Sequence, residues 1–357
     1  GSQAPTGRLR YHDLMKHLLD LFPLVEPHIV PPVLIALGPV WPVTQLVAAL
    51  KGADTTCFQF DVYQAARLRE KLTQENLTAE VLTAADLWDL PPRFHTVLFP
   101  ASAHSDRELK LDIVEQGYHV VAPGGLFVTL SEYERDTTFA PAHKKVFGKC
   151  SEAPRNKAGS AFWSVREPGD RPRRRHRMTY HAKIGDRPSM SFETWPGTFS
   201  YGRMDDGSRA MLEVADVRAG DKVLDMGCGA GAVGCLVSQQ CGPTGRITFV
   251  DSSARAVKLA ELNAAANGVT NAKFVTSGTL TDLPAGEFDV VLANPPYFAD
   301  SEVGRLFIAT AREVLRPNGR FYFVTKMPVV TIPEIVETFG SVESVENRGY
   351  TVVIARA

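Results

Sequence analysis

The half of this chain that follows His181 lacks histidine, since all nine histidines lie at or before that residue. A histidine general base is therefore excluded from that half, which favours chemistry that relies on positioning. Cysteine is scarce too, with five residues: Cys57, Cys150, Cys228, Cys235 and Cys241. Because they are odd in number, scattered and without metal-ligand spacing, we expect reduced thiols, no bound metal and a cytoplasmic protein.

Long apolar runs are also missing. No stretch approaches the ~20 residues that a membrane-spanning helix needs, and the start shows no charged segment followed by an apolar one. We therefore expect a soluble protein. The net charge of −1 argues against nonspecific coating of nucleic acid but leaves a local basic patch open. The 357 residues, at ~150 residues per domain, suggest two domains.

A glycine-rich turn is the feature around which the second half is organised. Gly227, Gly229 and Gly231 follow an apolar run that ends on Asp225, and an apolar, helix-compatible segment comes next. The stretch predicts a strand, a tight turn and a helix. Glycine allows positive φ and lets backbone N–H groups approach a ligand at a helix N-terminus. Structural turns share this pattern, so the turn by itself is a weak signal.

Two later strand ends carry polar residues. The β-rich run over 246–250 ends on Asp251, where a carboxylate can bind ribose hydroxyls or cap the following helix. The apolar run over 288–293 leads directly into Asn-Pro-Pro-Tyr at 294–297. Two prolines end the strand and fix an extended turn at its carboxyl end, where ligands bind in open α/β sheets. An amide, two carbonyls and an aromatic ring are thereby directed into one crevice.

Strands alternate with helices along the whole chain, which predicts parallel sheets with both faces covered. The first half also repeats landmarks of the second. Phe60-Asp61 matches Val250-Asp251, 190 residues later, and Pro123-Gly124 before a strand matches Pro317-Asn318, 194 residues later. A nearly constant offset favours duplication over chance.

The first copy lacks the chemical residues. Leu37-Gly38-Pro39 stands in place of the glycine-rich turn, and Phe99-Pro100-Ala101-Ser102 in place of the tetrapeptide. We expect a degenerate domain over 1–167 that supports the second domain or binds RNA, a basic linker over 168–181 and a catalytic domain over 182–357. The linker is either plain solvated chain or an arm that contacts RNA phosphates through Arg171, Arg173, Arg174, Arg175 and Arg177.

The three strand ends, in this order, resemble class I S-adenosylmethionine-dependent methyltransferases that act on exocyclic or amide nitrogens. The segment Gly197-Thr-Phe-Ser-Tyr-Gly-Arg-Met-Asp-Asp-Gly-Ser208, the glycine-rich turn, Asn-Pro-Pro-Tyr and Leu315-Arg-Pro-Asn-Gly319 resemble the bacterial ribosomal RNA guanine-N2 methyltransferases of the small-subunit methyltransferase C type. This similarity is weak before about residue 175 and closer after it. It implies two tandem Rossmann-like α/β domains, each with a seven-stranded, mostly parallel sheet.

The resemblance also implies site residues. It assigns the target base to Asn294, Pro295, Pro296 and Tyr297. Around S-adenosylmethionine it places Phe199, Asp205, Ser208, Asp225, Gly227, Cys228, Gly229, Gly231, Asp251, Ser252, Ser277, Gly278, Thr279 and Asn294. Asp225 and the glycines would hold the methionine part, and Asp251 the ribose.

Two positions depart from the family pattern. The family usually has Phe where this chain has Tyr297, which also fits adenine-N6 and protein glutamine methylases. Gly278 stands where Asp or Asn often recognises the adenine, so that contact would come from the backbone or from Thr279. Phe199 fits a lid or a core residue, and Tyr297 a stacking or a core residue. Cys228 fits a packing residue better than a nucleophile.

The activity that the resemblance implies is methylation of the N2 amine of a guanine in 16S ribosomal RNA, with S-adenosylhomocysteine as product. The Asn294 side-chain oxygen and the Pro295 carbonyl would accept hydrogen bonds from the amine, and Tyr297 would stack on the flipped base. The expected partner is ribosomal RNA or the small subunit, bound by a monomer with no membrane contact. The alternatives are protein glutamine-N5 methylation, adenine-N6 methylation of nucleic acid, and a non-catalytic RNA-binding assembly factor.

Overall fold

The computed structural model describes residues 18–103, 105–295 and 301–357, and the chain divides into two compact units. The first unit ends at His176 and the second begins at Arg177. The first strand of the second unit starts at Met178, inside the range predicted as a linker. Within the described ranges, no helix has the length and apolar character needed to cross a membrane.

The first unit alternates strands and helices. Its strands are β1 (Val33–Ala36), β2 (Thr55–Gln59), β3 (Glu80–Thr83), β4 (Phe94–Ala101), β5 (Val121–Ser131), β6 (Ser151–Glu152) and β7 (Ser160–Val165). Its helices are α1 (Leu18–Val25), α2 (Val40–Ala49), α3 (Val62–Gln74), α4 (Arg107–Val120) and α5 (Phe139–Phe147). The seven strands form one sheet in the order β3-β2-β1-β4-β5-β7-β6. Strands β1 to β5 pair in parallel, whereas β7 is antiparallel to both of its neighbours.

The second unit begins with a separate antiparallel hairpin, as the sequence predicts. The hairpin consists of β8 (Met178–Ala182) and β9 (Met190–Thr194). The later strands are β10 (Lys222–Met226), β11 (Arg246–Asp251), β12 (Ala272–Thr276), β13 (Phe288–Ala293), β14 (Leu315–Thr325), β15 (Val342–Asn347) and β16 (Tyr350–Arg356). The helices are α6 (Asp206–Val214), α7 (Ala232–Cys241), α8 (Ala254–Ala266), α9 (Ser301–Val314) and α10 (Pro328–Phe339).

The sheet of the second unit has the same connections as that of the first. Its order is β12-β11-β10-β13-β14-β16-β15, with only β16 antiparallel to its neighbours. The prediction of two seven-stranded, mostly parallel sheets is therefore confirmed. In both units the strand order reverses beside the first strand, and in open α/β sheets ligands bind at the carboxyl ends on either side of such a reversal.

Helices cover both faces of the second sheet, which explains why its central strands are almost continuously apolar. On one face Val223 and Phe249 pack with residues of α6, α7 and α8. On the other face Leu224 and Val291 pack with residues of α9 and α10. All six residues of β13 are buried. The strand ends that carry Asp225 and Asn294 are thus held by a rigid core.

Backbone pairing corrects two matches between the halves that the sequence suggests. The N–H of Leu37 donates to Phe58 O, just as that of Gly227 donates to Val250 O, each at 2.9 Å. The counterpart of Asp251 is therefore Gln59, and the match to Asp61 is wrong by two residues. Asp61 instead caps α3 by accepting from Gln64 N.

The tetrapeptide match shifts for the same reason. Val33 pairs with Thr96 in β4, and its counterpart Val223 pairs with Val290 in β13. Continuing both strands brings Pro100, not Phe99, to the place of Asn294. A comparison of the two halves by residue type misses such a shift, because strand pairing and not local sequence decides which positions are equivalent.

A buried ion pair connects the start of β10 to β14. The Arg320 guanidinium on β14 binds Asp221, which directly precedes β10, and both side chains are buried. We expect Asp221→Ala to lower the free energy of unfolding by about 3 kcal/mol, the lower end of the range for breaking a buried pair, because the buried guanidinium keeps only the half-exposed carboxylate of Asp216. Chemical denaturation measures this.

The matched control removes an exposed pair. Lys258 and Glu261 form an ion pair on the surface of α8, with both side chains about half exposed. Glu261→Ala should cost less than about 1 kcal/mol, since water screens such pairs. Equal losses for Asp221→Ala and Glu261→Ala would contradict a stabilising role for the buried pair.

Candidate active site

The glycine-rich turn after β10 is bound to the end of the neighbouring strand β11. The N–H groups of Gly227 and Cys228 both donate to Val250 O at 2.9 Å. Gly231 has φ +79, and a Cβ there would lie 2.8 Å from the Ala260 Cβ on α8. Only glycine therefore allows this turn to pack so closely against α8.

Asp225 lies at the end of β10, beneath the turn. Its buried carboxylate accepts a hydrogen bond from Gly234 N at 2.8 Å, which connects the strand to the first turn of α7. Burial raises the pKa of Asp225 to about 7, with a further contribution from the charge of Asp251, whereas the Gly234 hydrogen bond lowers it. Asp225 is thus the buried acid of this strand end.

Asp251 holds the turn from the side. One of its carboxylate oxygens accepts from Gly229 N at 2.9 Å, and the other accepts from Ser253 N at 2.9 Å. The residue that caps α8 is Ser253, which accepts from Ala256 N. The alternative of Asp251 as the helix cap is therefore wrong, because the cap lies two residues later.

Asn294 lies directly after β13, the strand on the other side of β10. Its side-chain Nδ2 donates to Asp205 Oδ2 and to Ser208 Oγ, each at 2.8 Å. Asp205 is the cap of α6 and accepts from Ser208 N with the same oxygen. Pro295 is buried. Pro296 and Tyr297, the other predicted residues of the tetrapeptide, lie outside the described residues.

One cleft, called here the site cleft, brings most of these residues together. Of the residues predicted from the resemblance, it is lined by Phe199, Asp205, Ser208, Asp225, Gly227, Cys228, Gly229 and Asn294. Among the described residues, the predicted ones outside this lining are Gly231, Asp251, Ser252, Ser277, Gly278, Thr279 and Pro295. The carboxyl ends of two adjacent parallel strands thus meet in the cleft, as expected at a strand-order reversal.

Phe199 and Cys228 differ in exposure. Phe199 is 50% exposed, so it is not a core residue, and the lid alternative remains. Cys228 is buried, and its thiol lies 3.8 Å from Gly229 O. Burial raises the pKa of Cys228 well above its usual value. A neutral, buried thiol fits a packing residue and not a nucleophile.

The turn after β12 is organised by Ser277. Its backbone N–H donates to Asp251 O at 3.0 Å, and its hydroxyl accepts from Leu280 N at 3.0 Å. Thr279 is exposed, and its hydroxyl lies 2.9 Å from that of Thr281. Leu280 adopts φ +62, a left-handed conformation that a sequence pattern does not predict for leucine.

Several lining residues were missed in the sequence. They are Tyr180, Ser200, Met204, Met211, Ala230, Ala232 and Val233. Tyr180 could have been found, because alternation along β8 turns it to the same face as Ala182, and Ala182 is buried. Burial also raises the pKa of Tyr180.

The predicted basic arm is largely bound to its own unit. Arg171 pairs with Glu115 at 3.0 Å, and Arg175 pairs with Asp86 at 2.7 Å. Arg173 donates to Trp88 O at 3.0 Å. In the second unit, Arg177 pairs with Glu193 at 3.1 Å, while Arg174 is exposed.

The first unit has other residues at the equivalent positions. Strand register places Ile35 where the second unit has Asp225, and Pro100 where it has Asn294. A Cβ on Gly38 would lie 2.9 Å from the Pro100 ring, so the ring fills the space beside the turn. No cluster of His, Cys, Asp or Glu that could hold a metal occurs among the described residues of either unit.

Sequence comparison now places the chain among known proteins. The Methyltransferase small domain family matches residues 189–354. Ribosomal RNA small subunit methyltransferase C of Pseudomonas entomophila is 33% identical over 162 residues, covering 44% of this chain and 48% of that protein. The protein of the same name from Salmonella choleraesuis is 30% identical over 189 residues, covering 48% and 54%. Residues 189–354 thus match the Methyltransferase small domain, and the chain is similar to these two relatives over about half of its length.

In these comparisons the chain spans about half the length of the curated relatives it matches. A solved 16S rRNA N2 G1207 methyltransferase from T. thermophilus, in complex with AdoMet and guanosine, matches with a TM-score of 0.74 and 20% identity. The match covers 94% of this chain and 91% of that one. It shows that the fold is shared over almost the whole of both chains.

The raised pKa of Asp225 predicts a pH-dependent stability. In the folded protein this carboxyl stays protonated from its usual value of 3.8 up to about 7, so stability falls as pH rises through this window. Asp225→Asn keeps an acceptor for Gly234 N but cannot ionise. The wild type should therefore lose about 4 kcal/mol relative to Asp225→Asn between about pH 4 and pH 7.

Chemical denaturation of both proteins across this pH range measures the difference. Asp186→Asn, at an exposed carboxyl, is the matched control and should follow the wild type at every pH. Parallel stability curves for the wild type and Asp225→Asn would show that Asp225 does not titrate in this window.

Proposed function

We propose that the protein transfers a methyl group from S-adenosylmethionine to the N2 amine of a guanine in small-subunit ribosomal RNA, in the bacterial cytoplasm. The observation that carries the proposal is the site cleft, in which a glycine-rich turn and Asn294 meet at adjacent strand ends. The relatives named ribosomal RNA small subunit methyltransferase C support this choice of substrate. The T. thermophilus structure with AdoMet and guanosine has the same tandem fold.

Two properties of the site cleft fit S-adenosylmethionine: its negatively charged side chains and the space beside its backbone. Asp205 and Asp225 line it, and such carboxylates suit a ligand that carries a sulfonium and an ammonium group. Near Gly229 the closest atom to an added Cβ would be the Phe199 Cβ, at 3.9 Å, so a ligand can approach the backbone. S-Adenosylmethionine supplies a methyl group already activated by the sulfonium, which leaves alignment as the task of the protein.

On the substrate side, the proposed groups are Asn294, which lines the cleft, and the buried Pro295 that follows it. A guanine amine is a weak nucleophile because its lone pair is delocalised into the ring. Acceptors at the Asn294 side chain and the Pro295 carbonyl would bind its two N–H groups and favour a pyramidal nitrogen. His181 in β8 is the one histidine of the sequence from 177 onward, and it does not line the site cleft, so the arrangement relies on positioning. Stacking by Tyr297 stays a prediction, and so does the monomeric state.

We infer that the first unit does not bind the cofactor. The apolar Ile35 side chain replaces the buried acid, and the Pro100 ring replaces the amide of Asn294 and closes the space beside Gly38. Its sheet and core are nevertheless complete. A unit that is folded but lacks the polar groups of the proposed site fits a supporting or RNA-binding role.

The first test is transfer of labelled methyl from S-adenosylmethionine to ribosomal RNA, small subunits and total protein from cells lacking the enzyme. Nucleoside analysis should recover the label as N2-methylguanosine. Label in N6-methyladenosine or in N5-methylglutamine of protein would replace the proposed substrate. Bound cofactor with no transfer to any fraction would favour a scaffold that assembles RNA.

Asn294→Ala should lower kcat for methyl transfer by about 10²- to 10³-fold, the range for removing one preorganised group that binds the reacting centre. Its affinity for S-adenosylmethionine should stay close to that of the wild type, as measured by calorimetry. Single-turnover kinetics at saturating RNA measure the rate of methyl transfer separately from the affinity for S-adenosylmethionine. Wild-type turnover in Asn294→Ala would refute the role of this side chain.

Arg174 gives the cleanest test of RNA contact, because it is exposed, whereas the other four arginines of the basic segment are each bound to a protein group. Arg174→Ser should weaken RNA binding and reduce the slope of log affinity against log salt by about 1. Arg174→Lys, which keeps the charge, is the matched control and should retain the slope. An unaltered slope in Arg174→Ser would leave this residue as plain solvated surface.

A further inference from the structure

Two asparagine side chains, one within α8 and one directly after it, bind the backbone of β9 along one edge of that strand. Asn263 Oδ1 accepts from Glu193 N at 2.9 Å, and its Nδ2 donates to Glu193 O at 2.8 Å. Asn267 makes the same pair of bonds with Ser191, whose N–H donates to Oδ1 at 3.1 Å and whose carbonyl accepts from Nδ2 at 2.8 Å. Each side-chain amide therefore pairs with one residue of β9 as the backbone of an adjacent strand would.

The spacing of the two asparagines explains how a helix can bind a strand edge in this way. Four residues along an α-helix span about 6 Å, and two residues along an antiparallel strand span about 6.8 Å. Asn263 and Asn267 also lie on the same face of the helix. The two amides are thus spaced to reach alternate residues of one strand, and their bonds satisfy backbone groups that the edge of a hairpin otherwise leaves unpaired.

Asn263 differs from Asn267 in one further bond, which reaches the glycine-rich turn. Its Nδ2 also donates to Ala230 O at 2.8 Å. Asn263 is 2% exposed, and with this bond both N–H groups and the oxygen of its amide are used. Ala230 lines the site cleft and directly precedes Gly231, which lies close to Ala260 of α8. One buried amide therefore connects β9, α8 and the turn.

Apolar packing joins the same three parts of the second unit. Trp195, which directly follows β9, packs with Ala230 of the turn and Leu259 of α8, and all three residues are buried. From Trp195 the chain continues to α6 through the segment that contributes Phe199 and Asp205 to the site cleft. The position of this segment relative to the turn therefore depends on how the end of β9 is held.

We propose that Asn263 is a positioning residue for S-adenosylmethionine, whose amide holds the glycine-rich turn and the segment over 195–205 at the separation that the cofactor needs. This inference deepens the proposed function and rests on it. The turn and the segment face each other, since a Cβ added at Gly229 would lie 3.9 Å from the Phe199 Cβ. Asn263 itself does not line the cleft, so it acts through these two parts. Holding them in place strengthens binding, because fewer groups have to be ordered when the ligand enters.

Calorimetric titration of the full chain with S-adenosylmethionine tests this role, and Asn267→Ala is the matched control. Asn263→Ala should weaken the affinity by about 10-fold, the effect of losing one hydrogen bond that orders a binding surface. Asn267→Ala also removes two bonds to β9 but none to the turn, so its affinity should stay within about 2-fold of the wild type. Wild-type affinity in Asn263→Ala would overturn the proposal, and so would an equal loss in both variants.

Hydrogen exchange, measured by mass spectrometry without any ligand, gives a second readout. Peptides over 190–194 should exchange faster in both variants, because both asparagines bind β9. Peptides over 227–231 should exchange faster in Asn263→Ala alone, because only that variant loses the bond to Ala230 O. Unchanged exchange over 227–231 in Asn263→Ala would contradict the proposal even if the protein methylates RNA. Both expected changes, together with no methyl transfer to RNA by the wild type, would count against the proposed function alone.

Asn263→Asp covers the case in which Asn263→Ala does not fold. It keeps the volume of the side chain and the acceptor for Glu193 N, but it has at most one proton for the two carbonyls that the Asn263 amide binds. It should therefore show the same two changes, and circular dichroism checks that it is folded. Wild-type affinity and wild-type exchange over 227–231 in this variant would refute the role of the Asn263 amide.

Discussion

The site cleft depends on one constraint, which is the attachment of the glycine-rich turn after β10 to the end of the neighbouring strand β11. The turn after β10 donates backbone N–H bonds to Val250 O and to the Asp251 carboxylate. These bonds give the turn one shape, and the close contact of Gly231 with Ala260 prevents it from relaxing away. Because β10 and β13 are adjacent, this fixed turn lies beside Asn294. The proposed cofactor and substrate surfaces therefore lie at the carboxyl ends of two adjacent central strands.

Comparison of the two units separates the requirements of the fold from those of the chemistry. Both have the same strand order and a buried core on each face. The first unit nevertheless has Ile35, Gln59 and Pro100 at the positions of the chemical residues of the second. A core accepts such exchanges as long as volume and apolar character are kept. The same sheet can thus persist after its ligand-binding groups have been replaced.

At the start of α6, the residue that caps the helix also contacts a residue of the proposed site. Asp205 satisfies the free N–H of Ser208 in the first turn, a role that an aspartate fills in many helices. The same carboxylate oxygen also accepts from Asn294. A residue that stabilises local structure therefore also binds a side chain that follows a distant strand. Local capping and site geometry are connected through one oxygen atom.

The sequence by itself determined the tandem α/β folds and the turns that carry the chemistry. Apolar runs, glycine spacing and the Asn-Pro-Pro-Tyr motif are local signals, because they reflect backbone conformation and strand burial. Only the tertiary structure decided that Gln59, not Asp61, is the counterpart of Asp251, that Tyr180 lines the cleft, and that most of the clustered arginines have partners in the protein. These facts depend on strand register and on contacts between residues far apart in the chain. Neither the register nor these contacts can be predicted from the local sequence, because both arise only when distant segments pack against each other.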